Sequence, residues 1–331
     1  MTVGLRPPKW LISAPLIFLF TLATTALLPV LLPLSLLLSA LPALRGCLRA
    51  LLFFVAYLYC ETIGILVSFY LWLTKGRKSA AFLQGNFKLQ CWWAQALKRS
   101  AAKLFDLKFH LHNAACLDGP AALVFPRHTS VGDTVLPMVY YAQPQQIRLR
   151  YVLKSELLWD PCLEIVGNRL ANYFVNRDSR NSATEVDGVI SLLHDIPTDE
   201  GILLYPEGTR YTAAKHAKLI QKSLDKPELQ DQLRRWPALL PPRLGGSLGL
   251  LKNNPQRDLV FIAHTGFEGS ANFAQLINGA WAHTHVHLEF WRVAYADIPT
   301  DPSAQREFFF QQWDRMQSTV DRLAKLSTDS A

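Results

Sequence analysis

The sequence predicts an α/β unit behind an apolar N-terminal hairpin, and three observations carry that expectation. No charged residue occurs from Leu11 to Leu41, and only Glu61 interrupts Ala50 to Thr74; each stretch exceeds the roughly 20 apolar residues that cross a bilayer. Beyond residue 105, short apolar runs alternate with longer helix-like segments, the rhythm of α/β architecture. Two of those runs deliver polar motifs, His128-Thr129-Ser130-Val131-Gly132-Asp133 and Pro206-Glu207-Gly208-Thr209-Arg210.

The first apolar run is too long for a signal-peptide core of roughly 7 to 15 residues, and a second follows closely, so the pair reads as a retained anchor. Pro15, Pro29, Pro33 and Pro42 are expected to kink or break a straight helix. Arg6 and Lys9 precede the hairpin, Arg45 and Arg49 divide it, and Lys75, Arg77 and Lys78 follow it. This even spread favours a hairpin dipping into the cytoplasmic leaflet but does not choose cleanly between dipping and spanning. Glu61 is expected to be paired inside the hairpin, because a lone carboxylate there is costly.

Residues 79–104 carry helix formers with Phe82, Phe87, Trp92 and Trp93 among Lys88, Lys98 and Arg99, a pattern suited to a helix near a membrane surface. The chain thus divides into an anchor, 1–78, and an α/β domain, 79–331. Within the domain the expected strands are Leu107–Leu111, Ala121–Phe125, Arg148–Leu153, Asn172–Val175, Ile202–Tyr205, Leu259–Ala263 and Val286–Val293. Lys215 to Arg235 reads as a helical excursion, and Pro302 to Leu326 as a closing amphipathic helix.

A formal net charge of +8 fits a protein held against anionic lipid and acting on phosphorylated substrates. Nucleic acid is disfavoured as a partner: there is no dense Lys/Arg run, zinc spacing or aromatic RNA-binding motif. Cys47, Cys60, Cys91, Cys116 and Cys162 are odd in number and lack Cys-x-x-Cys spacing, which argues against a disulfide framework and a cysteine metal site and fits a reducing, cytosolic setting.

His128 falls at a strand-to-helix junction, where open α/β folds bind ligands; a helix is expected from Ser130 to about Ala142. A neutral imidazole accepts a hydroxyl proton at physiological pH when its second nitrogen is held by an acceptor such as Asp133. The plainer reading is a capping box, Ser130-x-x-Asp133, in which the carboxylate only satisfies helix-start amides. In the second motif Gly208 permits a tight turn, and Arg210 offers a planar donor fork matching a phosphate. Glu207 would orient that arginine or hold a substrate hydroxyl; the alternative is a β-turn with a structural ion pair. Lys154 and Arg177 follow two other strands and would complete a cationic cradle. Backbone amides of 129–132 are candidates for an oxyanion site.

These blocks together resemble the glycerolipid acyltransferase family, in particular its 1-acylglycerol-3-phosphate acyltransferases. The likeness covers most of 75–295: His128-x4-Asp133, an aromatic-hydrophobic block ending at Arg177, Glu207-Gly208-Thr209-Arg210, and the strand around Val260-Phe261-Ile262-Ala263. Lys154-Ser155-Glu156-Leu157, Lys215-His216 and Leu239-Leu240-Pro241-Pro242-Arg243 add to it. The resemblance implies a mixed sheet flanked by helices, His128 and Asp133 as catalytic pair, and Glu207, Gly208, Thr209, Arg210, Arg177 and Lys154 at the substrate. It implies an acyl-CoA or acyl-carrier-protein donor as co-substrate, a lysophospholipid acceptor, no other cofactor and no metal. It also implies a membrane enzyme with its catalytic domain on the cytoplasmic face, expected of a bacterial inner membrane. The chain departs from the family pattern twice: Arg127 stands where Asn usually precedes the histidine, and Ala263-His264 replaces the usual proline of the fourth block. Arg127 is expected to add acceptor charge or a phosphate contact.

Three rival signals remain. Gly245-Gly246-Ser247-Leu248-Gly249 matches the serine-hydrolase pattern, but Pro241 and Pro242 sit where a nucleophile elbow needs its strand, so the glycines read as a helix-start or packing element. His283, His285 and His287 alternate along a strand and could face a metal; a solvent-facing stripe is the expectation. A non-catalytic membrane scaffold is disfavoured because His128, Asp133, Glu207 and Arg210 are all present.

Overall fold

The computed structural model describes residues 8–77, 79–176 and 182–329. In chain order it places α1 (Trp10–Leu38), α2 (Cys47–Thr74), α3 (Ala80–Phe105), β1 (Lys108–His112), β2 (Leu123–Pro126), α4 (Gln143–Gln145), β3 (Arg148–Lys154), α5 (Pro161–Gly167) and β4 (Tyr173–Val175). Then follow α6 (Ser182–Ser191), β5 (Glu200–Leu203), α7 (Ala213–Lys222), α8 (Pro227–Arg235), α9 (Leu244–Lys252), β6 (Leu259–Thr265), β7 (His285–Val293) and α10 (Pro302–Asp329). Each run read as a strand from the sequence forms one.

Among the described residues the strands build a seven-stranded mixed sheet in the order β1-β7-β6-β2-β5-β3-β4. Its pairs are parallel except β6 with β7. β2 lies at the centre and is a continuous apolar run because both its faces are covered. The alternation of the strand turns Val124 to one core and Leu123 and Phe125 to the other, all fully buried. On the first face α3 packs Phe87, Ala94, Ala101 and Phe105. On the second, α10 presents Phe309, Trp313, Met316 and Val320, joined by Leu250 of α9 and Val189 of α6.

α1 and the segment Pro42–Thr74 are both long and apolar enough to cross a membrane. Pro15, Pro29 and Pro33 lie inside an unbroken α1. A proline removes its own donor without stopping the helix where neighbouring groups satisfy the freed backbone. Thr21 also joins the two helices, with Oγ1 2.9 Å from Thr62 Oγ1. The hairpin shares its packing with the rest of the chain: Ala50 and Phe53 of α2 are buried in the same core as the sheet. Glu61, expected to pair within the hairpin, accepts instead from Trp93 Nε1 of α3 at 2.7 Å and from the Cys162 amide of α5 at 3.3 Å. From α5, Glu164 accepts from the backbone amides of Lys9 and Trp10, a carboxylate at the positive end of α1.

The helix expected from Ser130 to Ala142 is irregular. Gly132–Val135 forms a 3-10 turn and Met138–Ala142 a π turn, since Pro137 cannot donate to an α-ladder. His283 also departs from expectation: it precedes β7 with φ 58° and lies 2.9 Å from Asp106 Oδ2. His287 is buried rather than solvent-facing.

Phe309 is wholly buried and meets Phe125 edge-on at 5.3 Å between centroids. Phe309→Ala is therefore expected to cost about 3–5 kcal/mol, read as a lowered midpoint in chemical unfolding of the detergent-solubilised protein.

Candidate active site

β2 and β5 pair in parallel, Leu123 with Ile202 and Val124 with Leu203, so both leave the sheet at the same edge. β2 runs on through Arg127, whose amide still bonds to Ile262 of β6 at 2.9 Å, and hands His128 to that edge. β5 hands over Tyr205 and the Glu207-Gly208-Thr209-Arg210 turn, with Gly208 at φ 67°, a conformation that favours glycine. The chain ties the two loops directly: the Tyr211 amide donates to the His128 carbonyl at 2.7 Å.

His128 is 12% exposed, and its Nδ1 lies 2.9 Å from Oδ1 of Asp133. The other carboxylate oxygen, Oδ2, accepts from the amides of Thr129 at 2.6 Å and Ser130 at 2.8 Å. One side chain thus does both jobs that the sequence leaves open: Oδ2 closes the turn and Oδ1 meets the imidazole. His264 adds a second imidazole, with Nε2 3.4 Å from Oδ2. Burial opposes the charge of Asp133, but His128 and His264 overcome it by charge and hydrogen bonding and hold the carboxyl well below the usual range. The ring of Tyr205 packs 4.4 Å from the His128 ring, centroid to centroid, which restrains the imidazole.

Glu207 takes a role other than those expected. Its Oε1 accepts from the His128 amide at 2.7 Å and its Oε2 from the Leu240 amide at 2.9 Å. The side chain therefore fixes the backbone beneath the histidine. Burial pushes its carboxyl up to about 8, against the pull of those amides and of Arg127. Arg127 also differs from expectation. It is 1% exposed, and its guanidinium donates to the His264 carbonyl, Glu268 and the Ala238 carbonyl, so it holds loops together beneath the site.

A cavity of about 950 Å³ opens beside His128. His128, Lys154, Gly208, Arg210 and Arg243 line it, and Phe53, Trp93, Leu97, Leu136, Leu153 and Phe267 supply apolar wall. Arg127, Asp133, Glu207 and Thr209 do not line it. Thr209 Oγ1 and the Arg210 carbonyl instead accept from Lys215 Nζ at 3.0 and 2.8 Å, which pins the turn. Arg177 lies outside the described residues. Arg243 is a lining residue that neither polar motif singles out. A Cβ on Gly208 would come within 2.7 Å of Arg243 Cδ, so the glycine makes room for the arginine; the only sequence signal was the Leu239 to Arg243 stretch in the family likeness. Ser247 is buried inside α9 with no hydrogen-bond partner for Oγ among the described residues. α8, not a strand, is the element before α9, so the elbow geometry is lacking.

Residues 108–225, which include the sheet edge and the histidine–carboxylate pair, match the protein-family model for Acyltransferase. In structure it is similar to the 1-acyl-sn-glycerophosphate (LPA) acyltransferase PlsC from Thermotoga maritima, with a TM-score of 0.58, 16% identity, and coverage of 86% of this chain and 98% of that one. At that identity the likeness is one of fold. No curated protein matches the chain.

Glu207→Gln replaces one of two acceptors with a donor and is expected to cost about 1–3 kcal/mol. With a raised carboxyl pKa, the folded chain binds the proton more tightly than the unfolded chain between the ordinary carboxyl range and about 8. Wild-type stability then falls through that window, whereas the glutamine variant lacks this slope. The stability gap should narrow as pH rises in urea melts; a gap independent of pH would show an ionised Glu207.

Proposed function

We propose that this protein is an O-acyltransferase that moves a fatty acyl group from acyl-CoA or acyl-carrier protein to the free hydroxyl of a lysophospholipid, foremost 1-acylglycerol-3-phosphate, giving phosphatidic acid. The observation that carries the reading is the 2.9 Å contact of His128 with Asp133 at the wall of a cavity that Arg210 and Lys154 also line. On this reading His128 Nε2 takes the acceptor hydroxyl proton while the oxygen attacks the thioester carbonyl, and Asp133 stabilises the imidazolium. The tetrahedral intermediate expels the thiolate, which recovers the proton from His128; no acyl-enzyme forms.

Thr129 and Ser130 amides are committed to Asp133, and the Gly132 amide to Ser130 Oγ at 3.0 Å. Of the segment 129–132 this leaves the amide of Val131, a residue that lines the cavity, as the oxyanion donor. Arg210, Lys154 and Arg243 supply charge for the acceptor phosphate, and Arg177 would join them. Two features support a membrane setting with the domain on the cytoplasmic face. α1 leaves Leu22 69% and Leu37 72% exposed, more apolar surface than water tolerates, and the formal charge is +8.

Turnover of labelled acyl-CoA with lysophosphatidic acid tests the reading. His128→Ala should lower kcat by about 10²- to 10⁴-fold while lysolipid binding persists; undiminished turnover rejects the role. Arg210→Ala should raise KM for the phosphorylated acceptor while leaving a monoacylglycerol acceptor unaffected. Ser247→Ala should transfer acyl groups normally, and its loss of activity would instead favour a serine hydrolase.

A further inference from the structure

β1 and β7 are parallel neighbours far apart in sequence, and their register sets Lys108 beside His285, His110 beside His287 and His112 beside Glu289. Four imidazoles consequently form one ladder. His110 stacks on His285 and His287 at 5.1 and 4.5 Å between centroids, and His287 on His112 at 5.4 Å. Phe109 lines the cavity described above, so strand alternation turns His110 to the opposite face of the sheet. The ladder lies outside the acyl-transfer machinery, and none of its four histidines lines that cavity.

Two independent features point to a ligand. His110, His285 and His287 each bring a ring nitrogen to within 4.8 Å of the others. His287 is only 4% exposed, yet its Nε2 has no hydrogen-bond partner among the described residues, a costly way to bury a polar atom. From these we propose a divalent transition-metal site, zinc foremost, in which His110, His285 and His287 are the protein ligands and water takes the fourth position.

One spacing already suits such an ion, and the third nitrogen lies within 4.8 Å of both. His110 Nε2 and His285 Nδ1 are 3.1 Å apart, close to the roughly 3.3 Å between two nitrogens at 2.0–2.1 Å from a tetrahedral zinc. Small turns of the rings about Cβ–Cγ exchange that hydrogen bond for two metal bonds. His112 completes the arrangement: its Nε2 lies 3.1 Å from His287 Nδ1. When His287 donates its Nδ1 proton to His112, the buried Nε2 keeps its lone pair for the ion, the usual support for a ligating histidine. Three imidazoles without a thiolate suit zinc, copper and nickel better than magnesium or calcium. The bound ion would clip edge strand β1 to β7.

The test uses the full chain without a polyhistidine tag, in detergent and freed of metal with a chelator. Zinc titration by calorimetry should show one ion per chain, with a melting temperature that rises with zinc concentration. Cobalt should give a spectrum of nitrogen ligation. His110→Gln and His285→Gln should abolish binding and the zinc-dependent rise, while circular dichroism and acyl transfer without metal stay as in wild type. His112→Ala should weaken binding by about 10- to 100-fold. Absence of stoichiometric binding by wild type, binding undiminished in both glutamine variants, or a thiolate-type cobalt spectrum would overturn the proposal.

Discussion

Parallel pairing of β2 with β5 is the constraint on which the rest of the site depends. Parallel neighbours end at the same sheet edge, so whatever follows them in sequence shares one locality. Here one strand is followed by His128 and the other by the Glu207 to Arg210 turn, and Glu207 reaches across to hold the His128 amide. A slip of one residue in that pairing would exchange the faces of the strand and carry Val124, Leu203 and their neighbours out of their cores. Burial on both faces therefore protects the meeting of the two loops: the core energetics and the site geometry answer to the same register.

The two departures from the family pattern are in contact. Arg127 donates to the His264 carbonyl at 2.5 Å, and His264 Nε2 lies 3.1 Å from the Arg127 carbonyl. His264 in turn stands beside Asp133. An arginine in this buried position needs acceptors, and Glu268 with the His264 and Ala238 carbonyls provides them. Arg127 and His264 thus form one local unit, folded around the carboxylate that meets His128.

The strands were legible because each is a short apolar run bounded by polar or turn residues, and the hairpin because lengths without charge are hard to mistake. His128 and Asp133 were legible as a pair from spacing in a strand-to-helix context, but the division of labour between the two carboxylate oxygens was not, since spacing does not say which atom faces which partner. Glu207 and Arg127 were assigned to substrate because a charged residue in a motif suggests a ligand; their burial and backbone partners are tertiary facts invisible to a local pattern. His285 and His287 were seen as a stripe, but their partners His110 and His112 come from a strand brought alongside by a long crossover, which no local period announces. The apolar run after Asp133 masks the effect of Pro137, which leaves a 3-10 turn and a π turn in place of one helix.

Residues of α2 and α3 line the cavity together with His128: Phe53 and Tyr57 come from the hairpin, Trp93 and Leu97 from the helix after it. The apolar hairpin is therefore a wall of the cavity. Glu61 fixes that wall by bonding to Trp93 and the Cys162 amide, and Tyr57 donates to Asp160 at 2.9 Å. Burial raises the Asp160 carboxyl, which keeps it suited to a hydrogen-bonded neutral setting rather than to a free charge. If α1 and α2 enter a bilayer as proposed, an acyl chain can pass from lipid into the cavity along side chains that belong to both, without an aqueous step. On the proposed reading, the hydrophobic part of a substrate would meet the hairpin and its charged part the sheet edge, where Lys154, Arg210 and Arg243 stand.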